Sequence, residues 1–180
     1  MNDILARWNN SSFEAAATQI LPCCASKAWA REMASRRPFQ DECALMASAD
    51  EVWYKLNEPD WMEAFNSHPR IGGSSALNSS PNSSLNYLAH GPSSSAWAMQ
   101  EQKEVAEAGD AVKIALAEGN RAYEAKFGRI FIVCATGKSA LELLEILRRR
   151  LQNAPGTELR EAAEQQRQII QIRLRKWLQR

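Results

Sequence analysis

The sequence predicts an all-α fold, a single-domain helical bundle over residues 1–180. Residues that cap and stop helices recur along the chain, and a length of 180 residues suits one compact core. The run RIFIVCA at 129–135 is the one β-like stretch, short, apolar and rich in branched side chains. Because a single strand cannot form a sheet, we expect a short extended segment packed among helices.

The first two helices are placed by the residues that open and stop them. Ser11 and Glu14 form a capping-box pattern that opens the run EAAATQIL. Pro22 is expected to stop this helix, because proline lacks the N–H that a helix interior needs. The run SKAWAREMASRR then predicts a second helix, which ends before Pro38.

Two further helices lead to the first histidine of the chain. Residues 41–57, DECALMASADEVWYKLN, predict a long helix, and a break at 48–50 is left open. Pro59 and Asp60 are favourable first-turn residues for the next helix. We expect this helix to run to His68.

Residues 73–96 interrupt the helical pattern. Ser, Asn, Gly and Pro dominate this stretch, which predicts a loop. Helices follow that end at Gly109 and Gly128, and Ser139 is interpreted as the N-cap of the next helix. The last predicted helix begins near Thr157.

Composition favours a protein of the cytoplasm. The 22 basic and 21 acidic residues leave a formal charge of +1, which gives no reason to expect a nucleic acid or a membrane as partner. No apolar run approaches the roughly 20 residues that span a bilayer, and the first residues do not resemble a secretion signal. The four cysteines lack a C-x-x-C pattern, so we interpret them as reduced, buried thiols and predict no metal site.

His68 is the first candidate for chemistry. Pro69 stiffens the chain after it, and Gly72 and Gly73 allow a ligand to approach the backbone closely. A side chain that titrates near neutral pH suits proton transfer. A single histidine before proline is also common as a cap or a packed ring, so the residues alone leave both interpretations open.

Glu101 and Gln102 form a second candidate pair. On a helix they share a face with Ala98, and a carboxylate beside an amide can bind both donor and acceptor edges of a polar heterocycle. Pairs of this kind are also frequent on solvated helix surfaces. The pattern alone does not decide between the two.

Two basic motifs have alternative interpretations. ATGKS resembles a phosphate-binding loop, but the pattern requires a glycine where this chain has Ile132. The basic residues of the C-terminal helix favour a solvated face near the negative end of the helix dipole. Arg173 differs because it lies between two apolar residues, where an arginine can bind a substrate carboxylate in a bidentate manner.

Several motifs together resemble one family. The motifs are AFNSHPRIG, the pair EQ at 101–102, KFGRIFIVCATGKSALELLEILRRRLQN and ELREAAEQQRQIIQIRLRKW, with RPF at 37–39. In this order they resemble 2-oxo-4-hydroxy-4-carboxy-5-ureidoimidazoline (OHCU) decarboxylase, and the likeness covers nearly the whole chain. The resemblance implies an all-α enzyme, commonly a homodimer, that works without metal or organic cofactor.

The resemblance also implies an activity and a set of site residues. The substrate would be the small ureidoimidazoline, and the products would be (S)-allantoin and CO2, a step of urate degradation. His68 and Glu101 match the catalytic residues of the family. Residues that match its substrate-binding positions are Pro69, Gln102, Ile132, Ala135 and Arg173.

Two departures from the family pattern leave an alternative open. The family commonly has serine one turn before the Glu-Gln pair, where this chain has Ala98, and the loop at 73–96 is longer than usual. A non-catalytic helical binding or scaffold protein that retains the fold is the alternative. We favour the enzyme because a scaffold has no need of His68, Glu101, Gln102 and Arg173 together.

Overall fold

A computed structural model describes residues 2–71 and 109–180 of the chain. The described residues form eight helices and no strand, which confirms the predicted all-α class. The predicted loop at 73–96 lies outside them. The helices are α1 (Asp3–Asn9), α2 (Phe13–Cys24), α3 (Lys27–Ser35), α4 (Glu42–Lys55), α5 (Glu58–Phe65), α6 (Asp110–Phe127), α7 (Ala140–Arg150) and α8 (Pro155–Trp177).

The contacts divide the chain into two compact units. The first unit consists of residues 1–64 and 167–180, and the second of residues 65–166. Helix α8 therefore contributes its N-terminal residues to the second unit and its C-terminal residues to the first. That the chain forms one domain over 1–180 stays a prediction.

Tryptophan side chains form much of the core of the first unit. Trp8, Trp29 and Trp53 are all buried. The indole N–H of Trp8 donates to the carbonyl of Ala16 at 2.9 Å, and that of Trp29 to the carbonyl of Ala49 at 3.2 Å. Each of these two large rings is thus buried without leaving its polar group unsatisfied.

The core of the second unit is one cluster of buried side chains, which we call the α6–α7 cluster. Gly119 of α6 allows the close approach of the two helices, since a Cβ there would lie 2.6 Å from the Leu147 side chain. Gly128 ends α6 with a φ of 66°, a conformation that favours glycine. The members of the cluster are Ile71, Leu116, Tyr123, Phe127, Phe131, Val133, Ala135, Ala140, Leu143, Leu144 and Leu147.

The N-terminus and the end of α2 differ from the prediction. Ser12, not Ser11, accepts the capping hydrogen bond, from Ala15 N–H at 3.3 Å, because the Ser11 hydroxyl donates to the Trp8 carbonyl at 2.8 Å instead. Pro22 does not stop α2, which continues to Cys24. Proline in the last turn leaves only one helical carbonyl without its usual donor, and the two buried residues that follow it pack in the core.

Three further boundaries were tested by the structure. Helix α4 continues through 48–50 without a break, and α8 begins at Pro155 rather than near Thr157. Proline is well suited to a first helical position, where its missing N–H has no intrahelical partner. Ser139 caps α7 as predicted, in a capping box with Glu142.

The cysteines are free, as expected, but not all are buried. Cys23, Cys24 and Cys134 are buried, whereas Cys43 is exposed in the first turn of α4. The prediction of buried thiols is therefore wrong for Cys43. Its turn lies on the solvated side of α4, where Glu42 and Ala44 are exposed as well.

Candidate active site

His68 lies in a turn that follows α5 directly. Helix α5 ends at Phe65, three residues before the predicted end, and the backbone N–H of His68 donates to the Phe65 carbonyl at 3.1 Å. His68 and Pro69 are both half-buried, and the Nε2 atom of His68 is fully buried. The imidazole is therefore partly withdrawn from solvent. We call residues 68–71 the histidine corner.

Side chains of α6 hold the histidine corner. Arg70 donates to Glu124 through Nε at 2.6 Å and through Nη2 at 2.8 Å, and this carboxylate raises the pKa of Arg70. The buried Asn120 amide donates to the Ile71 carbonyl at 2.7 Å. Ile71 itself belongs to the α6–α7 cluster. The backbone around His68 is thus fixed to the core of the second unit.

The connection between α6 and α7 includes residues 130–135, which we call the site segment. These residues are neither helical nor part of a strand. The side chains from Phe131 to Ala135 are all buried. The Ile132 carbonyl accepts a hydrogen bond from Arg150 Nη1 at 2.6 Å. The Cys134 N–H donates to Gln165 Oε1 at 3.0 Å, and the Cys134 carbonyl accepts from Lys138 Nζ at 2.6 Å. Side chains from three places in the second unit therefore hold its backbone.

Arg150 belongs to a fully buried polar network, which we call the Arg150 network. Its Nε and Nη2 donate to Glu158 Oε1 at 2.8 and 2.5 Å, and both side chains are 0% exposed. The Tyr123 hydroxyl also donates to Glu158, and the Asn153 amide donates to its other oxygen at 2.7 Å. Burial, with the hydrogen bond to Glu158, raises the pKa of Tyr123, although the charge of Arg150 opposes this. The phenol consequently stays a neutral donor.

The Arg150 network is a functional feature that local sequence patterns do not predict, although the sequence carries one signal of it. The run Arg148-Arg149-Arg150 is typical of the C-terminal turn of a solvated helix. Arg150, however, follows Leu143 and Leu147 at helical spacing and so shares their buried face. An arginine on an apolar stripe predicts a buried partner.

The histidine corner and the site segment share one core. Ile71 comes from the corner, and Val133 and Ala135 come from the segment, and all three belong to the α6–α7 cluster. The structure therefore places three of the predicted site positions, Pro69, Ile132 and Ala135, with His68 in the second unit. Rigid packing of this kind is what a catalytic site requires of its framework.

Arg173 belongs to the first unit, and it is only 2% exposed. The solvated-face interpretation is therefore wrong for this arginine, although it holds for the exposed Arg175. Burial raises the pKa of the Cys23 thiol to about 12, and the charge of Arg173 acts in the opposite direction. Arg167 is another basic residue of α8 for which the pattern predicts a solvated face, but its guanidinium pairs with the Asp50 carboxylate at 2.9 Å.

Comparison with known proteins identifies the family. Residues 9–175 match the family model described as OHCU decarboxylase. The chain belongs to the OHCU decarboxylase family. It is 35% identical over 155 residues to the uric acid degradation bifunctional protein TTL of Arabidopsis thaliana. The aligned residues make up 86% of this chain but 44% of that protein. The chain thus spans less than half the length of this relative.

Solved structures agree with this family assignment. A crystal structure of OHCU decarboxylase in the presence of (S)-allantoin matches with a TM-score of 0.72 and 30% identity, over 91% of this chain and 99% of that one. A crystal structure of (S)-allantoin synthase matches with a TM-score of 0.66 over 96% of this chain and 53% of that one, and at 17% identity it supports the fold alone. The match to the OHCU decarboxylase family model confirms the expected family.

Several predictions of the OHCU decarboxylase site fall outside the described residues. Glu101, Gln102 and Ala98 lie in the stretch between 71 and 109, so their roles stay predictions. Within residues 2–71 and 109–180, no three His, Cys, Asp or Glu side chains are grouped to hold a metal ion. In the same ranges, none of the helices is long and apolar enough to cross a membrane.

Proposed function

We propose that this chain decarboxylates 2-oxo-4-hydroxy-4-carboxy-5-ureidoimidazoline and releases (S)-allantoin and CO2, in the degradation of urate. One observation carries the proposal: in a chain of the OHCU decarboxylase family, the histidine corner and the site segment are built on the same buried cluster. The structure of OHCU decarboxylase that this chain resembles was determined in the presence of (S)-allantoin. That product matches the proposed reaction.

The chemistry of the substrate fits a site made of side chains alone. When the bond to the carboxylate breaks, its electron pair enters the conjugated ring and CO2 leaves. The ring nitrogen that receives this electron pair takes up one proton. A second proton is then added to one face of the ring carbon that bears the ureido group, and the hydroxyl becomes a carbonyl as it loses its own proton. Because the ring accepts the electron pair, the protein needs only to orient the carboxylate, stabilise the charge and direct the proton.

We assign each predicted residue a role in this reaction. His68 would act on the substrate hydroxyl, and Glu101 would lie close to the reacting carbon. The guanidinium of Arg173 would hold a substrate anion, which is a role that a buried arginine fills well. Pro69 would shape the pocket, and Gln102 would bind the ring. Backbone groups between Ile132 and Ala135 would bind the ring from another side.

The appearance of optical activity tests the proposed function. The unstable substrate is generated in situ from urate, the protein is added, and circular dichroism follows the formation of allantoin. We expect rapid formation of one enantiomer, because uncatalysed decay yields a racemate. Optically silent decay at a rate unchanged by the protein would contradict the proposal and favour the non-catalytic binding protein.

A pair of histidine variants tests the assignment of His68. We expect His68→Ala to lower kcat by about 10²- to 10⁴-fold, the range typical of a lost general acid or base. His90→Ala is the matched control, since these are the two histidines of the chain, and it should retain wild-type activity. Near-normal turnover by His68→Ala would remove the assignment.

We also propose that the protein is a cytoplasmic homodimer. Four free cysteines are typical of proteins that stay in a reducing compartment. Large apolar side chains are exposed at Ile114 and Leu141, which supports an interface between copies. Light scattering after size exclusion should give twice the mass of the 20.2 kDa chain. A monomer at micromolar concentration would contradict the dimer.

A further inference from the structure

The backbone of the site segment is held by three side chains at two of its residues. Arg150 donates to the Ile132 carbonyl, Gln165 accepts from the Cys134 N–H, and Lys138 donates to the Cys134 carbonyl. These bonds involve three successive peptide groups between residues 132 and 135. Since a peptide group is planar, fixing one of its ends fixes the direction of the other.

The planar geometry determines which backbone groups face away from the anchors. The Arg37–Pro38 bond is the cis peptide of the described chain, so the peptide groups of the site segment are trans. In a trans peptide the C=O and the N–H point in opposite directions. The bonds to Arg150, Gln165 and Lys138 therefore direct three groups away from these side chains: the Val133 N–H, the Val133 C=O and the Ala135 N–H.

In chain order these three groups are a donor, an acceptor and a donor. Two N–H donors flank one C=O acceptor, which complements a flat heterocycle whose edge carries both carbonyl and N–H groups. The ring of a ureidoimidazoline has such an edge. Backbone groups fixed in direction bind a rigid ring without first having to be ordered.

Stability alone does not account for the Arg150 network. Removing two charges from water is costly, and well-packed apolar residues can replace a buried ion pair with no loss, or even with a gain, of stability. What an apolar replacement could not supply is the bond from Arg150 Nη1 to the Ile132 carbonyl. That bond couples the Glu158 carboxylate, through Arg150, to the direction of the peptide group between Ile132 and Val133.

We propose that Arg150 and Gln165 are positioning residues of the decarboxylase, which orient the site segment so that Val133 and Ala135 bind the substrate ring through their backbone. This inference rests on the proposed function. Neither side chain needs to touch the substrate. Their effect is transmitted through the Ile132 carbonyl and the Cys134 N–H, each within 3.0 Å of its partner.

Substitutions of Gln165 give the main test, because its side chain is half-buried and its removal leaves the α6–α7 cluster intact. Gln165→Ala removes the acceptor for the Cys134 N–H, whereas Gln165→Glu keeps an acceptor oxygen at the same place. We expect Gln165→Ala to raise KM, to lower kcat/KM by up to about 10²-fold and to lower the enantiomeric excess of allantoin. Gln165→Glu should return KM, kcat/KM and the enantiomeric excess most of the way to their wild-type values.

These readouts separate positioning from a purely structural role. A variant that only lowers the amount of folded enzyme lowers the apparent kcat and leaves KM unchanged. The enantiomeric excess, extrapolated to high enzyme concentration, is likewise independent of the folded fraction. Amide hydrogen exchange at Cys134 should become faster in Gln165→Ala and return to the wild-type rate in Gln165→Glu.

Neighbouring arginines provide a second, matched test. Arg150→Lys keeps the charge beside Glu158 but cannot reproduce the fork that reaches both Glu158 and Ile132. Arg149→Lys is the control, since Arg149 is exposed and lies 3.7 Å from Glu161. Arg150→Lys should raise KM and lower the enantiomeric excess, and Arg149→Lys should leave both unchanged.

The outcomes distinguish this inference from the proposed function. An inactive wild-type protein contradicts the proposed function itself. An active wild type, with KM and enantiomeric excess unchanged in both Gln165→Ala and Arg150→Lys, overturns the positioning inference alone. Raised KM and lower enantiomeric excess in Gln165→Ala, recovered in Gln165→Glu, support it.

Discussion

The histidine corner and the site segment are held to the same core by different kinds of interaction. The corner relies on a surface pair, in which Arg70 is 47% exposed and Glu124 is 27% exposed, together with the buried Asn120 amide. The segment relies on Arg150 and Glu158, which are both 0% exposed. Surface pairs are screened by water and salt, whereas a buried charge depends wholly on its partners. The segment should therefore be far more sensitive to substitution than the corner.

Breaking the buried pair should have the largest effect on stability. Arg150→Met removes the partner of a carboxylate that no solvent reaches, and we expect a loss of about 3–5 kcal/mol of unfolding free energy. Urea denaturation of the wild type and the variant measures this difference in unfolding free energy. The double variant Arg150→Met/Glu158→Gln removes both charges and should recover part of the loss. A loss below about 1 kcal/mol in the single variant would contradict the difference between corner and segment.

Loss of the buried amide at the corner should have an intermediate effect. Asn120 donates to the carbonyls of both Ile71 and Leu116, at 2.7 and 2.9 Å. Asn120→Ala leaves the Ile71 carbonyl without this donor in a buried place, and we expect a loss of about 1–3 kcal/mol. Thermal and urea denaturation should agree. The exposed Asn10, whose amide also donates to a carbonyl, supplies the control Asn10→Ala, which should cost less.

Alkaline pH should lower the unfolding free energy through Tyr123, a member of the Arg150 network that holds the site segment. Burial raises the pKa of this phenol above its ordinary value of 10.0. Because the pKa of Tyr123 is higher in the folded protein than in the unfolded chain, its contribution to the unfolding free energy is fully present below pH 10. This contribution is lost as the pH rises above 10, because the unfolded chain then loses the phenol proton more readily than the folded protein does. The loss should approach about 1.4 kcal/mol for each pH unit. Unfolding at pH 9, 10 and 11 should show this dependence in the wild type.

The variant Tyr123→Phe isolates this contribution. It removes the titrating hydroxyl, together with its hydrogen bond to Glu158, so its stability should be lower at pH 9 but should fall less steeply above pH 10. Tyr54, which is 58% exposed, provides the control Tyr54→Phe. If the unfolding free energies of the wild type and Tyr123→Phe fall with the same slope above pH 10, Tyr123 is excluded as a source of the loss of stability at alkaline pH.

Removal of the surface pair should have the smallest effect. Arg70→Gln eliminates a bidentate pair at the protein surface, and we expect a loss of at most about 1 kcal/mol. Because salt screens exposed charges, the difference between wild type and variant should shrink between low salt and 1 M salt. Glu124→Gln should behave alike. A loss as large as that of Arg150→Met would remove the distinction between surface and buried anchors.

Local signals were enough to predict the helices and the family. Ser139 was identified as a cap because its hydroxyl and Glu142 lie three residues apart in the chain, so their interaction depends on nothing remote. The prediction failed at Ser11 and Pro22, where contacts with Trp8 and with the buried core override local preference. Glu101 and Gln102 stay sequence predictions.

The order of the residues alone is enough to predict the all-α class, the family, and the candidate residues His68 and Arg173. The folded structure is needed to show which arginine of the run 148–150 is buried, and that Gln165 and Lys138 hold the site segment. A local pattern does not predict these features, because burial of a charge depends on a partner from elsewhere in the chain. Arg150 can leave water because the next helix brings Glu158 to it, and that meeting exists only after the chain has folded.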